Sequence, residues 1–227
     1  LRTLNDFLYY TNVFSKVKGR YLVQDRNLGS TNAIKNFLFK KSGGIACCCV
    51  QKNIWQSSGT ALYSDVDIFF AIGKRTGDLV LPFGSRLEKI YAVGSMSMQN
   101  ALSSRERVEP KCQSLDVLFV GSNTSTDLRR DWSANYEAIA WLVQLAKEFP
   151  QLKVGIKHHQ FSVPDVNEGK ITNGSRVIYI DPDINSYTQA LESRIVVSYA
   201  STLVYEMIGI GKDAYFLDPK GENTFIN

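Results

Sequence analysis

Short apolar runs alternate with helix-patterned stretches along nearly the whole chain, and that alternation restricts the possible folds more than any other feature. The runs fall at 20–23, 45–50, 68–72, 89–93, 116–120, 153–156, 177–180, 195–198 and 214–217. Helical spacing of apolar residues occupies 4–17, 31–39, 133–149, 184–192 and 202–208. Runs without a polar alternate residue fit strands buried on both faces, and strands separated by helices pair in parallel through crossovers. The expected fold class is therefore α/β, with parallel sheets covered by helices on both sides. Ser30 or Thr31 caps the second helix. Tyr136, Ile139, Ala140, Leu142, Val143, Ala146 and Phe149 give the long helix one apolar face.

The pattern breaks once. Residues 96–114 are polar, charged and contain Pro110, the composition of a linker. Beyond them the order restarts with a strand, the turn Gly121-Ser122-Asn123 and the long helix. Residues 1–95 and 115–227 thus read as two Rossmann-like domains with parallel sheets, and 227 residues suffice for two modest cores. Both ends read as cut: Leu1 opens inside a helical pattern, and Phe225-Ile226-Asn227 stops just after a strand and turn.

Composition narrows the class of function. Apolar residues make up 44% and charged residues 21%, and no apolar run approaches the roughly 20 residues of a membrane span. The net charge of +4 conceals an asymmetry: residues 1–113 carry 16 Lys/Arg against 8 Asp/Glu, and residues 114–227 carry 10 against 14. The basic half favours an anionic acceptor or the inner face of a membrane, as peripheral contact. Its charges are scattered without interleaved aromatics, which argues against nucleic acid. Cys47, Cys48 and Cys49 sit together in an apolar strand and form neither a disulfide framework nor a zinc motif, so they read as buried small hydrophobes in a reducing compartment. Cys112 is isolated. Sequons start at Asn123 and Asn173, but no signal peptide accompanies them, and the expected location is the cytoplasm.

Two polar clusters carry chemistry. Lys157-His158-His159-Gln160 follows a strand, and Ser201-Thr202-Leu203-Val204-Tyr205-Glu206 opens a helix after another. Both fall where open α/β sheets bind ligands, beyond the carboxyl ends of strands. The first offers cationic and neutral nitrogen donors. The second adds hydroxyls to the free N–H groups of a helix start, with Glu206 one turn past Thr202 and placed to reach a ribose hydroxyl. Read alone, Ser201 is a helix cap and Glu206 a solvated residue; together the clusters suit a nucleotide diphosphate. A metal is not expected. Asp65-Val66-Asp67 precedes its strand, and Asp181-Pro182-Asp183 sits in a turn that capping explains.

Over about residues 45–227 the chain resembles the nucleotide-dependent glycosyltransferases and glycerophosphotransferases of GT-B architecture that build bacterial capsule, teichoic acid and other surface polysaccharides. Lys157-His158-His159 is similar to their Lys-x-His-Pro segment, with Gln160 in place of proline. Ser201-Thr202 with Glu206 is similar to their donor segment. The resemblance implies that His159, Ser201 and Thr202 touch the donor phosphates, supported by Lys157 and His158, and selects His159 over His158. It places Gly121, Ser122 and Asn123 near the leaving group. In the first domain, the acceptor side, Val50-Gln51-Lys52-Asn53 stands where such proteins often read Gln-His-Gly. Ser64-Asp65 and Val93-Gly94-Ser95 follow as further similar segments. Lys52 then takes a position where the family places a histidine, and Asp25 is the substitute base.

The implied function is transfer of a sugar or polyol phosphate from a nucleotide-activated donor to a glycan or other anionic acceptor, without metal or cofactor. Two alternatives share the architecture: a nucleotide-sugar 2-epimerase, and a non-catalytic nucleotide- or glycan-binding relative.

Overall fold

The computed structural model describes residues 2–25, 30–52, 63–103, 114–121, 133–158 and 166–221. The chain divides between Met96 and Ser97 into two compact units.

The first unit runs α1 (Arg2–Lys16), β1 (Tyr21–Gln24), α2 (Ser30–Lys41), β2 (Ala46–Val50), β3 (Asp65–Ala71), α3 (Arg75–Val80), a 3₁₀ turn at Leu81–Phe83 and β4 (Arg86–Ala92). The four strands pair in parallel in chain order. Phe14 of α1 and Leu38 and Phe39 of α2 bury against Cys47, Cys49 and Phe69. Across the sheet Phe70 stacks on Tyr91 with ring centres 6.0 Å apart. The expected alternation of the cysteine strand holds: Cys47 and Cys49 join this core, and Cys48 is buried outside it.

One boundary differs in a way that matters. Asp65-Val66-Asp67 does not precede its strand but opens it. The strand tolerates the acids because each has a cation: Asp65 accepts from Arg86, and Asp67 accepts from Lys40 and from the Cys47 backbone N–H.

The second unit begins with α4 (Met96–Ser103), inside the stretch expected as linker. Met98 is buried in the core of this unit, which draws that stretch into regular structure. There follow β5 (Val117–Val120), α5 (Ser133–Glu148), β6 (Val154–Lys157), α6 (Val166–Thr172), β7 (Ile178–Tyr179), α7 (Ser186–Glu192), β8 (Ile195–Ser198), α8 (Thr202–Gly209) and β9 (Ala214–Phe216). All pairs are parallel, in the order β7-β6-β5-β8-β9.

Strand alternation splits the core cleanly. Val117 and Phe119 face α5 with Ala138, Ile139, Leu142 and Ala146, while Leu118 and Val120 face α7 and α8 with Leu191, Leu203 and Met207. Gly155 lets Leu115 pack closely on β6: a Cβ there would lie 2.5 Å from Leu115 Cδ1, and that side chain would have to shift. Helices α3, α4 and α6 were not expected from the sequence; each is too short to show a period. Among the described residues no helix is long and apolar enough to cross a membrane.

Burial pushes the Cys47 and Cys49 thiols from the ordinary 9.0 up to about 12, reinforced at Cys47 by Asp67 and at Cys49 by Asp25. A thiol that ionises at about 12 folded and near 9 unfolded adds stability that is complete below pH 9 and is lost as pH rises from 9 to 12. Iodoacetamide at pH 8, with peptide mapping, should therefore leave Cys47 and Cys49 unlabelled until urea unfolds the chain, and the urea midpoint should fall above pH 9. Rapid labelling without urea would show that β2 opens in the native state.

Candidate functional site

The strand order of the second unit fixes where a ligand can sit. From β5 the chain moves outward through β6 to β7, then returns to the other side of β5 to lay down β8 and β9. At that reversal α5 and α8 pack on opposite faces of the sheet, and in open α/β sheets ligands bind beyond the carboxyl ends of the strands at such a point. Gly121 follows β5 and Ser201 follows β8 by a short turn. Ser198 closes the ladder between them: its hydroxyl donates to Val120 O at 2.5 Å and accepts from Ala200 N at 3.3 Å.

Ser201 is the N-cap of α8, with extended backbone and a side-chain oxygen accepting from Leu203 N at 3.3 Å. Val204 N donates to the Ser201 carbonyl at 3.2 Å, and Thr202 is the first helical residue, at the positive end of α8.

On the other side of β5, His158 follows β6. Its Nε2 lies 2.7 Å from Oε1 of Glu168 on α6, and both side chains are buried. The same carboxylate oxygen accepts from the Tyr179 hydroxyl at 2.9 Å, and the phenol ring stacks on the imidazole at 5.8 Å and 20°. The opposite edge of the imidazole faces the end of β5: a Cβ placed on Gly121 would stand 2.9 Å from His158 Nδ1. Glycine at 121 is thus a matter of space. Glu168 and Tyr179 were missed from the sequence because α6 was; a carboxylate ten residues past a histidine carries no spacing signal when the helix holding it is unrecognised.

Two expected residues face inward. Lys157 is 1% exposed, and its Nζ donates to His158 O and Pro182 O, each at 3.1 Å. Burial lowers its pKa, opposed by the charges of Asp181 and Asp183. Glu206 is buried, not solvated, and accepts from the Tyr187 hydroxyl at 2.7 Å. Burial, and then the neighbouring Glu206, push the Tyr187 hydroxyl well above the ordinary tyrosine range, so it stays a phenol. His159, Gln160, Ser122 and Asn123 lie outside the described residues. Asp181 Oδ1 accepts from Asp183 N, a turn contact.

At the carboxyl edge of the first unit, Asp25 and Lys52 come together as an ion pair at 3.7 Å, with both side chains more than half exposed. Gln51 is buried and its Oε1 accepts from Ile72 N and Thr76 Oγ1, holding the turn that leads into α3. Asn53 lies outside the described residues. A groove of about 850 Å³ occupies a different place, lined by Phe7, Phe37, Lys40, Asp67 and Arg86 near the amino ends of β3 and β4. Among the described residues no group of three or more His, Cys, Asp or Glu side chains could hold a metal ion.

No protein-family model and no curated protein sequence matches the chain. Its architecture does have solved counterparts. A UDP-GlcNAc 2-epimerase from Neisseria meningitidis bound to UDP-GlcNAc superposes with a TM-score of 0.62 at 15% identity, covering 98% of this chain and 65% of the other. The Methanocaldococcus jannaschii UDP-GlcNAc 2-epimerase in complex with UDP-GlcNAc and UDP gives 0.59 at 12% identity, over 98% and 66%. S. aureus MnaA with UDP gives 0.58 at 12%, over 93% and 62%. This chain therefore spans less than two thirds of the length of each. At these identities the likeness establishes the fold: two parallel α/β sheets of the GT-B type, as the sequence led us to expect.

Gly121→Ala tests the close approach at the end of β5. The added methyl must displace the imidazole or the turn, and should cost about 1–3 kcal/mol of stability, read as a lower urea midpoint with shifted His158 ring resonances. An unchanged midpoint and unmoved resonances would show that the turn has room to relax.

Proposed function

We propose that this chain is a nucleotide-sugar enzyme whose second unit holds the diphosphate of the donor. One observation carries the reading: the topological reversal brings the carboxyl ends of β5, β6 and β8 together, and with them Gly121, His158 and the start of α8. A helix start supplies partial positive charge, and an imidazole beside a glycine turn supplies a donor. These are the requirements of a phosphate group, and the solved counterparts named above hold UDP or UDP-GlcNAc.

The reaction in this reading breaks the bond between the anomeric carbon and the diphosphate. Charge builds on the departing oxygen, and Ser201, Thr202 and His158 are placed to stabilise it. His159, Ser122 and Asn123 belong to the same proposed site by sequence. Lys157 contributes by holding the backbone of His158 and the turn at Pro182 rather than by direct contact. Glu206, tied to Tyr187, fixes the inner face of α8.

Transfer to a glycan or other anionic acceptor is the reaction that the sequence resemblance favours, with Asp25 and Lys52 on the acceptor side. A 2-epimerase is the second reading, favoured by the solved counterparts. It uses the same bond, because a sugar C2–H without an adjacent carbonyl is acidic enough to lose only when the C1 substituent can leave.

Calorimetric titration with UDP, CDP, GDP and CMP tests the site, and product analysis of the matching nucleotide sugars with and without acceptor separates the reactions. A C2 epimer formed without acceptor identifies the epimerase; nucleotide release that needs acceptor identifies the transferase. Absence of binding at millimolar nucleotide overturns the reading. Turnover should also persist in EDTA, since the positive charge comes from the helix start and the imidazole; loss in EDTA with rescue by Mg²⁺ or Mn²⁺ would return Asp181 and Asp183 as ligand candidates.

A further inference from the structure

We propose that Glu168 is a positioning residue that fixes the His158 ring by accepting from Nε2–H, so that Nδ1, once a proton from solvent makes the ring cationic, is the atom that donates to the diphosphate. The inference rests on the reading above for its ligand, and on geometry alone for the lock.

A carboxylate accepts and does not donate, so the 2.7 Å contact between Glu168 Oε1 and His158 Nε2 requires the proton on Nε2. Nδ1 is then the atom at which the ring can engage anything else. It lies on the edge of the ring that faces Gly121, at the carboxyl end of the central strand. Glu168 is itself fixed twice over: Tyr179 OH donates to the same oxygen at 2.9 Å, and Thr172 Oγ1, one turn along α6, bonds Glu168 O at 3.1 Å and lies 3.0 Å from the Tyr179 hydroxyl. Stacking against Tyr179 sets the ring plane. Three elements, β6, α6 and β7, thus converge to hold one imidazole in one orientation, more restraint than a buried histidine needs merely to be satisfied.

The charges suit an anion. When the ring is cationic, Glu168 balances it internally, so the pair is neutral, and the diphosphate meets an N–H donor whose counter-charge is already placed behind it. Beside it Lys157 Nζ donates to His158 O and feels the charges of Asp181 and Asp183, which holds the backbone of His158 in place.

The test is a long-range ¹H–¹⁵N correlation spectrum of the intact chain, with and without UDP. His158 and His159 are its two histidines, and His159→Gln assigns them. Without UDP, His158 should carry a proton on Nε2; with saturating UDP, Nδ1 should be protonated as well, its ¹⁵N resonance moving to that of an N–H. Glu168→Gln should weaken UDP on the order of 10-fold or more and release the tautomer preference. Glu168→Asp should restore part of both, which loss of packing alone would not do. Tyr179→Phe keeps the ring stack, removes one support of the carboxylate and should give a smaller loss; it also serves if Glu168→Gln fails to fold. A neutral ring protonated on Nδ1 overturns the lock. UDP that shifts resonances near Ser201 but leaves Nδ1 unmoved overturns this inference and spares the functional reading. UDP that shifts nothing anywhere overturns both, while the tautomer still reports whether the lock exists.

Discussion

The parallel ladder that β5 makes with β6 on one side and β8 on the other is the constraint on which the second unit depends. Its registers, Val117 against Val154 and Val117 against Ile195, set the heights at which three strands end. Because β5 is buried on both faces, a slip by one residue would turn Phe119 and Leu118 into each other's cores. The ladder is therefore specified by packing as well as by hydrogen bonds, and the positions of Gly121, His158 and Ser201 are consequences of it. Ser198 completes the arrangement by giving the Val120 carbonyl a donor where the backbone ladder runs out.

Three charged groups buried near this edge have defined partners. Glu168 takes two donors, Glu206 takes Tyr187, and the Lys157 ammonium donates to two carbonyls. In a low-dielectric setting an unpartnered group of this kind costs about 1–3 kcal/mol or more, and a satisfied network instead fixes one geometry. The rigidity of the site is thus bought with side chains that the sequence presents as ligand candidates. Lys157 and Glu206 illustrate this. Their residue types and spacing suit phosphate and ribose, and the fold uses both to hold the scaffold.

The two units treat acids differently. In the first, Asp65 and Asp67 meet Arg86 and Lys40 at the amino end of the sheet, and Asp25 meets Lys52 at the carboxyl end. These are partly exposed pairs, each worth little by itself. In the second, the carboxylates that matter are buried and act through neutral or aromatic partners. The buried carboxylates of the second unit are thus held by directed hydrogen bonds, the acids of the first by partly exposed ion pairs.

How far the sequence reached is clear from particular residues. The alternation of apolar runs and helical patterns determined two parallel α/β sheets, because buried parallel strands need continuous apolar residues and crossovers need helices. Ser201 was legible as a cap, since capping is a local interaction. What the tertiary structure alone decided was which neighbour each polar side chain meets. His158 and Glu168 belong to different elements, one of them a seven-residue helix too short to show a period, and Tyr179 arrives from a third. Their meeting depends on β6 lying beside β7 and α6 crossing between them. Local sequence encodes periodicity and caps; contacts among residues separated by a crossover are set by strand order, which only the packed fold determines.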